Sequence, residues 1–196
     1  MIRGLDSERS VIQMIYHSVA EIFTEINSTR QRLCEGLQEL NPRQATFKPS
    51  VDKWSVAEIL EHLSKVDRVL VSRIGKLLAE LEEAEPGVQE CAGFVPFSLD
   101  SLVERARDQK FKSPEPALPD SGLPIQESLA KLKSSRADLL SMQLRIEARD
   151  LSQTTFPHFV FGQLNIYQWL GFIGIHENRH RKQIELIMSA PEFPAS

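Results

Sequence analysis

Apolar residues recur at intervals of three and four through most of this chain. Val11, Ile15, Val19, Ile22 and Ile26 form one stripe, and Leu33, Leu37 and Leu40 continue it. The period matches 3.6 residues per turn and predicts one helix from near Ser7 to near Leu40. "NPRQATFKPSVDK" then interrupts the pattern with two prolines. A second helix opens at "WSVAEILEHL". Ser55 caps it, and Glu58 three residues on completes a capping box. Trp54 precedes the cap, where it can staple onto Ile59 or its neighbours. Ile59, Val66, Leu70 and Leu77 mark the buried stripe, and the helix is expected to reach about Glu83.

From residue 84 to residue 124 the pattern fades into "EPGVQECAGFVPF" and "KSPEPALPDSGLP". A short helix near Ser98 to Gln109 fits between them. A connection this long either packs over the domain as an ordered crossover or carries function. A third helix follows Pro124, a residue suited to the first helical position. Leu129, Leu132, Arg136, Leu139 and Leu140 carry it to about Glu147. "RDLSQTTFPHFVFG" reads as a loop, and a fourth helix runs from about Gln163 to Ser189. No internal repeat and no strand-like alternation stands out. The expectation is an all-α fold: a four-helix bundle with one long crossover connection, a single domain over residues 1–196.

Composition acts by exclusion. The chain is 41% hydrophobic and 26% charged with a net charge of -4, the mixture of a soluble globular protein. No basic block appears, so neither nucleic acid nor an anionic membrane is an expected partner. No run of about 18 apolar residues exists to span a bilayer. The start, "MIRGLDSERS", lacks the apolar core of a signal peptide. Cys34 and Cys91 make no disulfide framework and are expected to be reduced thiols in a cytoplasmic protein.

The candidate chemistry lies in "HENRH", His176 to His180, which fits the H-E-x-x-H pattern of zinc proteases. The two histidines stand one turn apart on the fourth helix, on the face shared by Trp169, Ile173, Gln183 and Ile187. Two inward nitrogens at that spacing grip one transition metal. A protease of this type needs a further ligand downstream, but only 16 residues follow His180, and no extended metzincin pattern is present. A di-iron bundle needs two Glu-x-x-His motifs, and only Glu177 with His180 supplies one. His62, near the edge of the second helix's stripe, is the remaining candidate ligand, with a hydrogen-bonded residue at the core edge as its plainer alternative. His17 is expected to be structural, and His158 to sit in a turn or at the surface. Glu177 is either a general base beside the metal or a solvated helix charge. Arg179 is either a receptor for an anionic substrate or a surface ion-pair partner. Glu58 lies one turn before His62 and is placed to orient it, besides capping the helix.

"KWSVAEILEHL", "FPHFVFGQLN" and "GIHENRHRKQIE", in that order, resemble the DinB-like superfamily of small four-helix proteins, the DinB and YfiT type. The resemblance covers the chain from the first helix to Ile187. It implies that His62, His176 and His180 are metal ligands; Glu177, beside them on the helix, is the candidate catalytic residue by its position. The resemblance also implies a divalent metal, zinc or nickel first, and an enzyme acting on a small-molecule substrate. Several relatives resemble thiol S-transferases or mycothiol-dependent isomerases, which suggests a transferase or hydrolase with a low-molecular-weight thiol cosubstrate. A non-catalytic metal-binding or interaction bundle is the alternative. Bundles of this type often pair, and the apolar faces of the long helices favour a homodimer.

Overall fold

The computed structural model describes residues 14–84, 94–107, 113–120 and 122–195. Its first long helix, α1, spans Val19–Cys34. Ser18 is extended, and its hydroxyl accepts from the Glu21 amide at 3.1 Å, which starts the helix there. The predicted start near Ser7 falls outside the described residues. Ile15–Tyr16, expected to be helical, instead form β1, paired antiparallel with β2, Phe97–Ser98. The far end also differs from expectation. Gly36 takes a left-handed φ of 71°, and Leu37–Glu39 form a 3-10 turn. Leu37 and Leu40 are still buried, so their apolar spacing outlasts the helix that it suggested.

The proline-punctuated break holds a short helix, α2, Pro42–Thr46, closed by a capping box between Asn41 and Gln44. The second long helix, α3, spans Val56–Ala84. Its predicted capping box is present: Ser55 N–H donates to Glu58 Oε2 at 2.8 Å, and Glu58 N–H to Ser55 Oγ at 3.2 Å. Its buried line runs through Ile59, Leu63, Leu70, Ile74 and Leu78, while Val66 and Leu77 are half-buried.

The crossover contains α4, Asp100–Arg107, and a 3-10 turn at Glu115–Ala117. The third long helix, α5, spans Ile125–Ser141. Pro124 is its N-cap residue rather than its first helical one, with ψ 142°. The helix does not continue unbroken to Glu147: Met142 turns the chain, and α6 covers Gln143–Glu147. The segment read as a loop is a hairpin, β3 Thr155–His158 against β4 Gly162–Asn165. Its three-residue turn closes on Gly162 at φ 76°, a left-handed position that glycine occupies without a Cβ clash. Only Phe156, His158 and Leu164 face inward, too short an alternation to stand out in the sequence. The last long helix, α7, spans Ile166–Met188 behind a capping box of Asn165 and Gln168.

The four long helices form the bundle. α1 packs along α7, and α3 packs along both α5 and α7. No described helix is long and apolar enough to cross a membrane. The core is divided. One apolar cluster gathers Ile22, Ile26, Leu70, Ile74, Leu139 and Ile173. The other gathers Leu33, Leu60, Leu63, Leu132 and Ile184. Each long helix contributes to both clusters and carries buried polar residues between its two contributions: Arg30, Asp67, Arg136, and Glu177 with His180.

Candidate metal centre

The polar layer separates into two groups. In the first, α3 supplies His62 and α7 supplies His176 and His180, and one ligand atom from each lies within 4.8 Å of the others. Nε2 of His176 is 3.3 Å from Nε2 of His62 and 3.1 Å from Nε2 of His180. Tetrahedral ligands at about 2.1 Å from a zinc ion would stand about 3.4 Å apart.

The protons of these rings carry the chemical argument. His62 Nδ1 lies 2.7 Å from the Ala117 carbonyl oxygen, which only accepts, so Nδ1 holds the proton and Nε2 is a bare lone pair. Burial lowers the pKa of all three rings: His180 to about 3, His176 well below the usual value, and His62 in the same direction. The rings are therefore neutral near pH 7. His176 Nε2 holds either one proton or one lone pair, so it makes a well-directed hydrogen bond with one of its two neighbours and opposes the other. A cation at the point of convergence removes that conflict, because it takes three lone pairs at once. The donor set fits a late divalent metal.

Aromatic side chains flank the rings. Trp54 lies 5.0 Å from the His62 ring and stacks at 6.4 Å on His180, so it covers the site as well as leading into α3. Phe172 stacks on His176 at 5.7 Å. His180 Nδ1 is buried without a well-aligned partner, and nearby Gln183 offsets part of its pKa depression. Glu58 does not orient His62. Its carboxylate is taken by the Ser55 amide and by Lys48 at 2.6 Å, and the Ala117 carbonyl holds the ring instead.

The second group joins all four long helices. Arg30 donates from Nη1 to the Leu132 carbonyl at 2.5 Å, from Nη2 to Asp67 at 2.5 Å, and from Nε to Glu177 Oε1 at 3.1 Å. A further bond joins Arg30 Nη2 to the same glutamate oxygen. Arg136 Nη2 donates to it at 2.8 Å, and Ser135 Oγ donates to Asp67 at 3.0 Å. Glu177 is 0% exposed, so it is no solvated charge. Its Oε2 and Arg136 Nε are buried and make no hydrogen bond. Burial pushes the Glu177 carboxyl up, against the pull of both guanidinium groups. The sequence signal for this group was present but went unread. Arg30, Asp67 and Glu177 each stand four residues after a buried apolar residue of their own helix: Ile26, Leu63 and Ile173. Charges at core positions of an amphipathic stripe come in compensating sets, because an unpaired buried ion is too costly.

The other candidates are not among the converging ligands, although burial, helped by the charge of Arg179, lowers the pKa of His176 and His180. His17 is exposed, and its backbone amide donates to Glu21 at 2.7 Å. Arg179 is exposed. His158 is 6% exposed rather than at the surface, and its Nδ1 accepts from the amides of Val160 and Phe161 at 3.0 and 3.2 Å. Burial lowers its pKa to about 4.

Known proteins share this fold and sequence pattern. A crystal structure of TT2238, described as a four-helix bundle protein, aligns at a TM-score of 0.57 with 21% identity, covering 86% of this chain and 99% of that one. This likeness shows the fold. The Bacillus subtilis (strain 168) protein named "Uncharacterized protein YuaE" is 29% identical over 166 residues, covering 82% of this chain and 93% of its own length. A Bacillus cereus (strain 03BB102) protein named "Putative metal-dependent hydrolase" is 26% identical over 160 residues, covering 82% of this chain and 79% of its own length. The DinB superfamily model matches residues 25–184, a span that holds all three converging histidines, and the chain belongs to that superfamily.

Proposed function

We propose that this protein is a divalent-metal-dependent enzyme of the DinB superfamily, held by His62, His176 and His180, that acts on a small molecule as a hydrolase or thiol S-transferase. The observation that carries the reading is the meeting of three neutral imidazole nitrogens whose protons cannot satisfy one another. Three protein ligands leave an open coordination position, the mark of a catalytic rather than a structural site. Zinc or nickel held by these three histidines would supply the Lewis acidity that makes a nucleophile of water or a thiol at neutral pH. The relative named as a metal-dependent hydrolase supports the hydrolytic branch.

The chain's own residues set the terms of that chemistry. The Ala117 carbonyl keeps His62 Nε2 unprotonated and turned toward the other rings. Trp54 and Phe172 shield the rings, which strengthens electrostatic interactions at the site. Glu177, as general base, works through Oε2, because Oε1 accepts from both arginines. In the same reading the chain acts as one domain, forms a homodimer and works in the cytoplasm.

The test begins with protein purified without a histidine tag. Mass spectrometry after dialysis is expected to find about one divalent ion per chain. Activated esters and several low-molecular-weight thiols offered with an electrophile then separate hydrolase from transferase, with metal-free protein as control. Stoichiometric metal with no turnover in any assay would favour a non-catalytic metal-binding bundle. Glu177→Gln is expected to keep its metal and lose about 10²–10⁴-fold in rate if the base assignment holds.

A further inference from the structure

Among the described residues, the crossover meets the metal centre at the Ala117–His62 hydrogen bond, and polar contacts hold it there. In the stretch from residue 113 to residue 120 every side chain is exposed or half-exposed. Leu118 is itself 38% exposed, so no buried apolar anchor ties the stretch down. Its attachment runs through three residues within little more than one turn of α3, Glu61, His62 and Lys65. Glu61 Oε1 accepts from the Asp120 amide at 3.1 Å. His62 Nδ1 donates to the Ala117 carbonyl at 2.7 Å. Lys65 Nζ donates to the Leu118 carbonyl at 2.7 Å, pairs with Asp120, and lies 3.1 Å from Glu61. Lys65 therefore ties the Leu118 carbonyl and the Asp120 carboxylate, next to Ala117 in the strap, to the helix that carries His62.

We propose that this strap is energetically coupled to the metal centre through the Ala117–His62 hydrogen bond, with Lys65 as the positioning residue that keeps the carbonyl in place. The inference rests on the metal-binding reading of the three histidines. The coupling has a simple origin. An imidazole whose Nε2 lone pair is drawn into a metal bond becomes a stronger donor at Nδ1, and an acceptor waiting there in turn makes Nε2 a better ligand. Linkage makes the effect reciprocal: whatever factor metal contributes to strap closure, closure contributes to metal affinity. A segment without an apolar anchor opens at low free-energy cost, so a modest coupling is measurable.

The experiment is hydrogen exchange read by mass spectrometry on the full chain, metal-free and loaded with zinc. Metal affinity is measured in parallel by competition with a chromophoric chelator. The reporters are three amides that hold hydrogen bonds within or across the strap: Ala117 to Pro114 at 2.9 Å, Leu118 to Glu115 at 3.0 Å, and Asp120 to Glu61. Zinc is expected to slow their exchange about tenfold, within the usual range for an outer-shell partner. Lys65→Met is expected to bind zinc about tenfold more weakly and to lose the zinc-dependent protection by a similar factor. Lys65→Arg, which keeps the charge and the donors, should restore most of both. Exchange elsewhere on α3 reports whether each variant is folded. Zinc binding to the wild type without slower strap exchange would overturn the coupling and leave the metal site intact. Wild-type zinc affinity in folded Lys65→Met would do the same. A wild type that binds no zinc would overturn the metal reading and the coupling with it.

Discussion

Two polar groups enter the interior from adjacent residues of α7, His176 and Glu177, and they follow opposite rules. The group around Glu177 is balanced: two guanidinium groups face two carboxylates, and most donors meet acceptors. The group around His176 is short of protons: three nitrogens meet and at most one good hydrogen bond forms. A balanced set completes itself from four helices and fixes how they stand against one another. A proton-poor set is complete only with a cation. Buried polar residues thus divide by whether their donors and acceptors close among themselves. That division assigns one group to the architecture, apart from Glu177 Oε2, which is left without a hydrogen bond, and the other to the metal.

The contrast breaks if the balanced group proves dispensable. Arg30→Met leaves Asp67 and Glu177 with a single guanidinium between them. It is expected to cost about 3–5 kcal/mol in urea unfolding of the metal-free protein. A loss under about 1 kcal/mol would mean that the group closes without Arg30. His176→Ala tests the other side. It should weaken zinc binding by about 10²–10³-fold, since structural zinc sites gain several kcal/mol per ligand. Its metal-free stability should change far less than that of Arg30→Met. Equal metal content in wild type and His176→Ala, measured by mass spectrometry after dialysis, would sink the site assignment. Metal itself sharpens the comparison: at a free concentration 100 times its dissociation constant it should stabilise the wild type by about 2.7 kcal/mol. Calorimetry with and without a chelator reads this, and Arg30→Met should show a similar increment if the two groups act independently.

The smallest effect concerns pH. His158 titrates at about 4 in the folded chain, against an ordinary value of 6.5. Between those values the unfolded chain takes up a proton that the folded chain refuses, so stability is lost as pH falls from 6.5 toward 4 and is unaffected above that window. The three rings of the metal centre, their pKa values also lowered, act in the same direction in metal-free protein. His158→Asn keeps an acceptor for the Val160 and Phe161 amides and removes one titrating group. Its unfolding free energy should fall less steeply with acid, by up to about 1.4 kcal/mol per pH unit. An unchanged slope would place the acid sensitivity elsewhere.

Much of the bundle was written in local pattern. The Ser55–Glu58 box starts α3 where the sequence placed it, and each long helix buries most of its stripe, although Leu140, counted in the α5 stripe, is 39% exposed. Stripes, however, report burial and not backbone. Leu37 and Leu40 stay buried although Gly36 has already turned the chain, whereas Ile15 lies in β1 and is exposed, its neighbour Tyr16 being the buried one. The hairpin of β3 and β4 was missed because each strand is four residues long and only three residues of the two strands face inward.

The sequence by itself determined the helical class, two ligand-competent histidines one turn apart on α7, and a third candidate on α3. The spacing along a helix is local, so His176 and His180 share a face whatever surrounds them. Only the tertiary structure decided that His62 arrives within reach of them, that Ala117 rather than Glu58 holds its second nitrogen, and that Glu177 is sealed among arginines. Those outcomes depend on partners 55, 114 and 41 residues away in the chain. The physical reason is that a side chain's protonation and its role follow from what is buried against it. Periodicity can name the inward face of a helix, but it cannot name the residue that waits on the other side.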